Sequence, residues 1–152
     1  MSTATITSLT TRKKAAQLKL MVFDVDGVMT DGSLWFNESG EALKRFHVLD
    51  GYGIKLLEEA GICTAIISGR SSPIVARRAA ELNIRYVHQG ISEKLPCFDA
   101  LLMQLGLQRH QAGFIGDDII DLAILTRCGY AARVSEAQQA VRDEVGLLHV
   151  RG

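Results

Sequence analysis

The stretch LMVFDVDGVMTDG, residues 20–32, joins a short apolar run to a set of aspartates. The run Leu20–Phe23 is short and bounded by polar residues, which is typical of a buried strand. Asp24 and Asp26 follow at once, with a single valine between them. Two like charges at the end of a buried strand repel each other unless a cation lies between them. The stretch therefore predicts a buried strand that ends in a functional site, where a cation would lie near the two aspartates.

Apolar, β-prone runs alternate with helical patterns along the 152 residues. The runs lie at 20–23, 62–67, 84–87, 112–115, 130–134 and 147–150. This alternation is typical of βαβ units, with a parallel sheet and helices on both of its faces. We predict a doubly wound, Rossmann-like α/β fold in a single domain over residues 1–152, in which residues 1–18 form an extension before the first strand.

The helical patterns have recognisable ends. They cover residues 50–60, 72–82, 95–105 and 118–127. Asp50 and Ser72 are predicted N-caps, and Pro73 suits a first helical turn. Gly61 and Gly106 mark two of the C-terminal ends.

Residues 33–48 break the alternation directly after the first strand. Two β-prone segments flank a loop that contains Gly40, which predicts a β-hairpin insertion. No internal repeat or linker indicates a second domain.

Charge and cysteine usage exclude several classes of protein. Seventeen basic residues balance seventeen acidic ones, and no basic stripe with interleaved aromatics occurs, so neither nucleic acid nor an anionic membrane is an expected partner. No apolar run reaches the ~18 residues of a membrane span. The three cysteines, an odd number without a C-x-x-C spacing, indicate reduced thiols and a cytoplasmic protein.

Polar residues follow four of the predicted strands. They are Asp24 and Asp26, then Ser68-Gly69-Arg70, then Lys94, then Gly116-Asp117-Asp118. Right-handed crossovers bring the carboxyl ends of parallel strands to one edge of the sheet, where open α/β folds bind ligands. Each of these residues alone could be a helix cap or a surface side chain, but together they predict one crevice.

The residue types in this crevice suit phosphoryl transfer. Asp24, Asp117 and a backbone carbonyl form an all-oxygen site that fits Mg²⁺ better than zinc. A hydroxyl, a lysine and loop N–H groups beside the metal would bind a phosphoryl group. One aspartate can attack phosphorus to give an aspartyl-phosphate, and its neighbour two residues on can protonate the leaving alcohol and later deprotonate water.

These motifs resemble those of the haloacid dehalogenase superfamily. They are D-x-D-G-V-x-T-D-G at 24–32, S-G-R at 68–70, Lys94 and G-D-D-x-x-D at 116–121. The second aspartate of the first motif favours a phosphatase. Only the hairpin follows the first motif and only a short connection follows the second, which leaves no room for a cap domain and resembles the capless subgroup. The segments F-H-V-L-D-G-Y-G-I-K at 46–55, S-G-R-S-S-P at 68–73 and Y-V-H-Q-G-I-S-E-K-L at 86–95 resemble 3-deoxy-D-manno-octulosonate 8-phosphate phosphatases.

The resemblance implies a role for each matching residue. Asp24 would be the nucleophile and a metal ligand, Asp26 the acid/base and a carbonyl ligand, and Asp117 a further metal ligand. Ser68, Gly69 and Lys94 would bind the phosphoryl oxygens. Thr30, Asp118 and Asp121 would orient these groups by hydrogen bonding. The expected contacts to the sugar acid are His47, Val48, Leu49, Asp50, Gly51, Lys55, Arg70 and Arg78.

The implied reaction is Mg²⁺-dependent hydrolysis of a sugar-acid phosphate on the route to the lipopolysaccharide inner core. The resemblance also implies a homotetramer in which each hairpin helps to close a neighbouring active site. Two alternatives stay open from the sequence: a phosphatase for a nine-carbon sugar-acid 9-phosphate, and a non-catalytic, phosphatase-like binding module.

Overall fold

A computed structural model describes residues 9–145 of the chain as a parallel sheet with helices and one hairpin. The strands are β1 (Leu20–Phe23), β2 (Trp35–Asn37), β3 (Gly40–Leu43), β4 (Cys63–Ile67), β5 (Tyr86–His88), β6 (Ala112–Gly116) and β7 (Tyr130–Arg133). The α-helices are α1 (Leu9–Ala16), α2 (Val48–Glu59), α3 (Pro73–Glu81), α4 (Lys94–Leu105), α5 (Leu122–Leu125) and α6 (Gln139–Glu144). Short 3₁₀ turns cover Arg109–Gln111 and Ile119–Asp121.

The main sheet has the strand order β5-β4-β1-β6-β7, and all of its strand pairs are parallel. The strand β1 lies at the centre and is buried along its whole length, as its apolar run predicts. The chain moves outward from β1 to β5, then returns to the other side of β1 for β6 and β7. Right-handed crossovers in both directions place helices on both faces of the sheet. The predicted doubly wound α/β fold is confirmed.

The core lies between the sheet and these helices. Phe98 of α4 packs edge-on against Phe114 of β6, with ring centroids 6.4 Å apart. Both side chains are fully buried. This packing fixes α4, and therefore its first residue Lys94, over the carboxyl end of the sheet.

One predicted helix start needs correction, and one predicted cap lacks its hydrogen bond. The helix α2 is capped by His47, whose Nδ1 accepts a hydrogen bond from the Leu49 N–H, so the prediction of Asp50 as the cap is wrong. Asp50 instead lies in the first turn, where a carboxylate is favoured by the helix dipole. Ser72 does occupy the N-cap position of α3, but its hydroxyl donates to Glu41 and makes no cap hydrogen bond.

The other predicted boundaries are confirmed only in part. Gly106 ends α4 in the left-handed conformation, with φ of 67°. The fourth helical pattern, 118–127, forms a 3₁₀ turn and the short helix α5 instead of one continuous helix. The predicted strand at 147–150 and the first eight residues of the predicted extension lie outside the described residues.

The hairpin of β2 and β3 forms its own two-stranded sheet directly after the first motif, as predicted. Its apolar side chains Leu34, Trp35, Phe36 and Leu43 are exposed. The three cysteines are free and half-buried. No helix within residues 9–145 is long and apolar enough to cross a membrane.

Candidate active site

The carboxyl ends of the central strands surround a cavity of about 160 Å³. Its lining consists of Asp24, Asp26, Ser68, Gly69, Arg70, Lys94, Asp117, Asp118 and Ile120. All of these except Ile120 are residues that the motifs single out. The structure therefore brings together side chains that are spread over about ninety positions in the sequence, because the parallel strands end at the same edge.

Asp24 is buried at the end of β1, where the backbone still pairs with β6. Its N–H donates to the Ile115 carbonyl over 3.0 Å, and its Oδ1 accepts from the Val25 N–H over 2.8 Å. The chain then turns sharply at Gly27, which has a φ of +83°. A Cβ at Gly27 would lie 1.9 Å from Oδ2 of Asp117, so only glycine lets the two acidic loops approach this closely.

Thr30 stabilises the turn that follows Asp26. Its buried Oγ1 accepts hydrogen bonds from the N–H groups of Gly27 and Gly32, over 3.3 and 3.2 Å. The side chain therefore holds the loop that carries the acidic pair. It does not line the cavity.

Lys94 and Asp121 form the buried floor of the site. The Lys94 Nζ lies 2.7 Å from Oδ1 of Asp121 and 3.0 Å from Oδ1 of Asp24. Burial lowers the pKa of Lys94, but the two carboxylates outweigh this effect and raise the pKa above its usual value. Oδ2 of Asp121 accepts from the N–H groups of Asp117 and Asp118, over 3.2 and 3.3 Å. Asp121 thus orients both the lysine and the loop after β6.

The carboxylates of Asp24, Asp117 and Asp121 each offer an oxygen within 4.8 Å of the others. Burial, together with the charge of Asp121, raises the pKa of Asp24 to about 7 even though Lys94 opposes the shift. The same two causes raise the pKa of Asp117 to about 6. The cluster therefore carries more negative charge than Lys94 balances, and its oxygen donors suit a divalent cation such as Mg²⁺. Because Asp121 already accepts from Lys94 and two backbone amides, Asp24 and Asp117 are the available ligands.

Asp26 is bound from the hairpin side. Oδ1 of Asp26 lies 2.6 Å from the Nζ of Lys44, and Oδ2 lies 3.8 Å from Nε of Arg70. Glu41 lies 2.8 Å from the same lysine. Sequence reasoning missed Lys44 and Glu41, because a hairpin's sequence does not determine the direction in which the hairpin folds over its neighbours.

Ile120 is a further lining residue that the sequence analysis missed. It lies between the two acids of the motif at 118 and 121, and its side chain is exposed at the cavity. An apolar residue inside an acidic motif carries no signal by itself, since single exposed apolar side chains are common.

The expected sugar contacts, apart from Arg70, do not line this cavity. Leu49 and Asp50 line a separate, mainly apolar cavity of about 230 Å³, with Ile54 and Leu57 of the same helix. His47 and Asp50 also border a smaller cavity of about 140 Å³. Val48 and Lys55 are exposed on α2.

Arg78 does not line the cavity that holds Asp24 and Lys94. Its guanidinium packs over the ring of Phe46, with Cζ 5.7 Å from the ring centroid. A Cβ at Gly51 would lie 2.5 Å from its Nη2, so Gly51 makes room for the arginine. Contact of these residues with substrate stays a prediction.

Comparison with known proteins identifies close relatives. No protein-family model matches the chain. It is 44% identical over 135 residues to 3-deoxy-D-manno-octulosonate 8-phosphate phosphatase KdsC of Haemophilus influenzae, which covers 88% of this chain and 74% of that protein. It is 40% identical over 124 residues to the protein of the same name in Escherichia coli K12, which covers 82% of this chain and 66% of that protein.

Solved structures agree with these relatives. The 3-deoxy-D-manno-octulosonate 8-phosphate phosphatase of Moraxella catarrhalis, in complex with magnesium, phosphate and KDO, superposes with a TM-score of 0.88 at 37% identity over 91% of this chain and 80% of that one. The cobalt-bound enzyme of Haemophilus influenzae gives a TM-score of 0.84 at 43% identity, over 87% and 77% of the two chains. A Legionella pneumophila hydrolase of the haloacid dehalogenase superfamily gives 0.86 at 37% identity, over 88% and 74%. The chain therefore belongs to the 3-deoxy-D-manno-octulosonate 8-phosphate phosphatases of the haloacid dehalogenase superfamily.

Proposed function

We propose that this protein hydrolyses 3-deoxy-D-manno-octulosonate 8-phosphate to the free sugar acid and inorganic phosphate, in the synthesis of the lipopolysaccharide inner core. The observation that carries this proposal is the cavity in which Asp24 and Asp26 lie beside the buried Lys94 and the carboxylate of Asp117. The membership of the family and the KDO-bound relative support the choice of substrate. They do not favour the nine-carbon substrate or the non-catalytic module.

Magnesium is the proposed cofactor. Asp24, Asp117 and the backbone carbonyl of Asp26 would hold it, and the excess negative charge of the carboxylate cluster favours a cation there. When bound, Mg²⁺ supplies positive charge to the phosphoryl oxygens and to the nucleophile. The magnesium in the related structure supports this assignment.

In the proposed reaction, a carboxylate oxygen of Asp24 attacks phosphorus and the bond from phosphorus to the sugar oxygen breaks. Asp26 donates a proton to that leaving oxygen, which gives the free sugar acid and an aspartyl-phosphate. Asp26 then takes a proton from a water molecule that attacks phosphorus, and phosphate leaves Asp24. Ser68, the N–H of Gly69 and Lys94 bind the phosphoryl oxygens during both steps.

The proposed assembly is a homotetramer in which the hairpin of one subunit closes a neighbouring site. The exposed apolar side chains Trp35 and Phe36 on the hairpin, and Val48 and Leu49 on α2, support an interface. Such an interface would also bring the expected sugar contacts on α2 to a substrate. Sedimentation of a Trp35→Ser variant tests this: we expect smaller particles and a higher KM, and an unchanged mass with an unchanged KM would contradict the proposal.

We further propose that the chain acts as a single domain in the cytoplasm. The free, half-buried cysteines support a reducing compartment.

The decisive experiment measures Mg²⁺-dependent phosphate release across a panel of sugar phosphates. The panel contains 3-deoxy-D-manno-octulosonate 8-phosphate, a nine-carbon sugar-acid 9-phosphate and a simple hexose phosphate. We expect the eight-carbon substrate to have the highest kcat/KM and Asp24→Asn to be inactive. Preference for the nine-carbon substrate would replace the proposed substrate, and full activity of Asp24→Asn would overturn the mechanism.

A further inference from the structure

A buried lysine of the hairpin contacts the proposed acid/base. Lys44 follows β3 directly, and its side chain is only 1% exposed. Its Nζ lies 2.6 Å from Oδ1 of Asp26 and 2.8 Å from Oε1 of Glu41. The side chain is therefore a charged donor enclosed by the protein.

The surrounding groups hold Lys44 in one place. Glu41 accepts a hydrogen bond from the hydroxyl of Ser72, at the N-terminus of α3, and lies 3.9 Å from Nη2 of Arg70. Nε of Arg70 is 3.8 Å from Oδ2 of Asp26. Two acidic and two basic side chains thus form one cluster, which connects the hairpin, the loop after β4 and the loop after β1.

The geometry separates Lys44 from the groups that bind substrate. Lys44 does not line the cavity that holds Asp24 and Lys94, and its buried side chain reaches the site through Asp26. What it does contact is one oxygen of Asp26, with a short, charge-assisted hydrogen bond that restricts rotation of the carboxyl group. Proton transfer to a leaving oxygen depends steeply on such orientation.

We propose that Lys44 is a positioning residue for Asp26, which it holds from the hairpin in the orientation needed to protonate the leaving oxygen. The inference rests on the acid/base role proposed for Asp26. It links the hairpin to the chemical step within the same chain: a hairpin that moves away from the site would release the carboxyl group from Lys44.

The test compares two substrates with different needs for an acid. The sugar alkoxide of 3-deoxy-D-manno-octulosonate 8-phosphate needs a proton to leave, whereas 4-nitrophenolate leaves from 4-nitrophenyl phosphate without one. Single-turnover rates with enzyme in excess and Mg²⁺ present report only the transfer of the phosphoryl group to Asp24. We expect Lys44→Met to slow this step ~10- to 100-fold for the sugar phosphate and to leave the aryl phosphate nearly unaffected. Asp26→Asn should show the same selectivity, with a larger loss of ~10²–10⁴-fold.

Three further variants keep the test decisive. Lys19→Met, an exposed lysine before β1 at the opposite edge of the sheet, is the matched control and should behave as wild type. Lys44→Arg, which keeps the charge, should recover part of the rate. If Lys44→Met folds poorly, Glu41→Gln in the same chain removes the charge of the other carboxylate that has lost its lysine partner, and the double variant should keep the selective loss.

Each outcome separates the inference from the function on which it rests. An equal loss on both substrates in Lys44→Met, or recovery of the sugar-phosphate rate in the double variant, would show a purely structural lysine and overturn the inference. If Asp26→Asn itself shows no selectivity, the acid role of Asp26 fails, and the positioning role of Lys44 fails with it.

Discussion

Replacing Asp117 by asparagine should stabilise the metal-free protein at pH 8, although the change removes a proposed metal ligand. In the wild type, the carboxylates of Asp24, Asp117 and Asp121 crowd around one buried ammonium, that of Lys94. Burial and the charge of Asp121 raise the pKa of Asp117 to about 6. Asparagine keeps the size of the side chain and removes the repelling charge.

The size of the gain follows from proton linkage. Asp117 has a pKa of 3.8 when unperturbed and about 6 in the folded protein, so between these values the folded state binds more protons than the unfolded state. The free energy of unfolding therefore falls as pH rises through this window. Above the window, the folded protein bears the whole cost of the ionised Asp117. A difference of about two pH units corresponds to ~3 kcal/mol. Because Asp24 shares the repulsion from Asp121 and can relax part of it, we expect a gain on the order of 1–3 kcal/mol, or ~2–10 °C in Tm.

Thermal unfolding followed by circular dichroism, in EDTA at pH 5 and pH 8, measures this effect. Asp117→Asn should gain more at pH 8 than at pH 5. In a parallel series with Mg²⁺ in place of EDTA, we expect Mg²⁺ to raise the Tm of the wild type at pH 8 but not that of Asp117→Asn. Asp99→Asn is the matched control with the opposite sign. Arg109 lies 2.7 Å from Asp99 and lowers the pKa of that carboxyl. Loss of the Asp99 charge should therefore lower the free energy of unfolding slightly, by ~0.2–1 kcal/mol. An equal drop in Tm for Asp117→Asn at both pH values would refute the reasoning.

Three more substitutions have distinct expected outcomes. Lys94→Met leaves two buried carboxylates without their cation, so urea unfolding should show a loss of ~3–5 kcal/mol, and phosphate release should disappear; wild-type stability would contradict the buried ion pairs. Gly27→Ala would place a Cβ at a φ of +83° and only 1.9 Å from Oδ2 of Asp117. We expect the free energy of unfolding to fall by ~1–3 kcal/mol and kcat to fall as well. Neither change should occur if the loop is free to move. Gly53 lies inside α2, and a Cβ added there would meet open space. For Gly53→Ala, urea unfolding should show a free energy of unfolding that is higher by ~0.5–1 kcal/mol. A lower value would mean that the space is not open.

Local pattern accounts for the parts of the fold that were predicted well. The four apolar residues of β1 predict a central strand, and the structure buries all of them. The convergence of Asp24, Ser68, Lys94 and Asp117 followed from one rule, that parallel strands end at one edge. The helix start at His47 was missed because an imidazole is an uncommon cap, and its Nδ1 accepts from the Leu49 N–H only in the folded backbone conformation.

Residue type and spacing along the chain were sufficient to predict the parallel sheet, the acidic pair at the end of β1 and the family. The contact of Lys44 with Asp26 and the position of Lys94 between Asp24 and Asp121 are seen only in the folded chain. The tertiary structure also separated the α2 residues from the carboxylate cavity within one chain. The physical reason is that periodicity specifies which face of an element is buried, whereas the contacts of a hairpin and of long charged side chains depend on how distant elements pack in space.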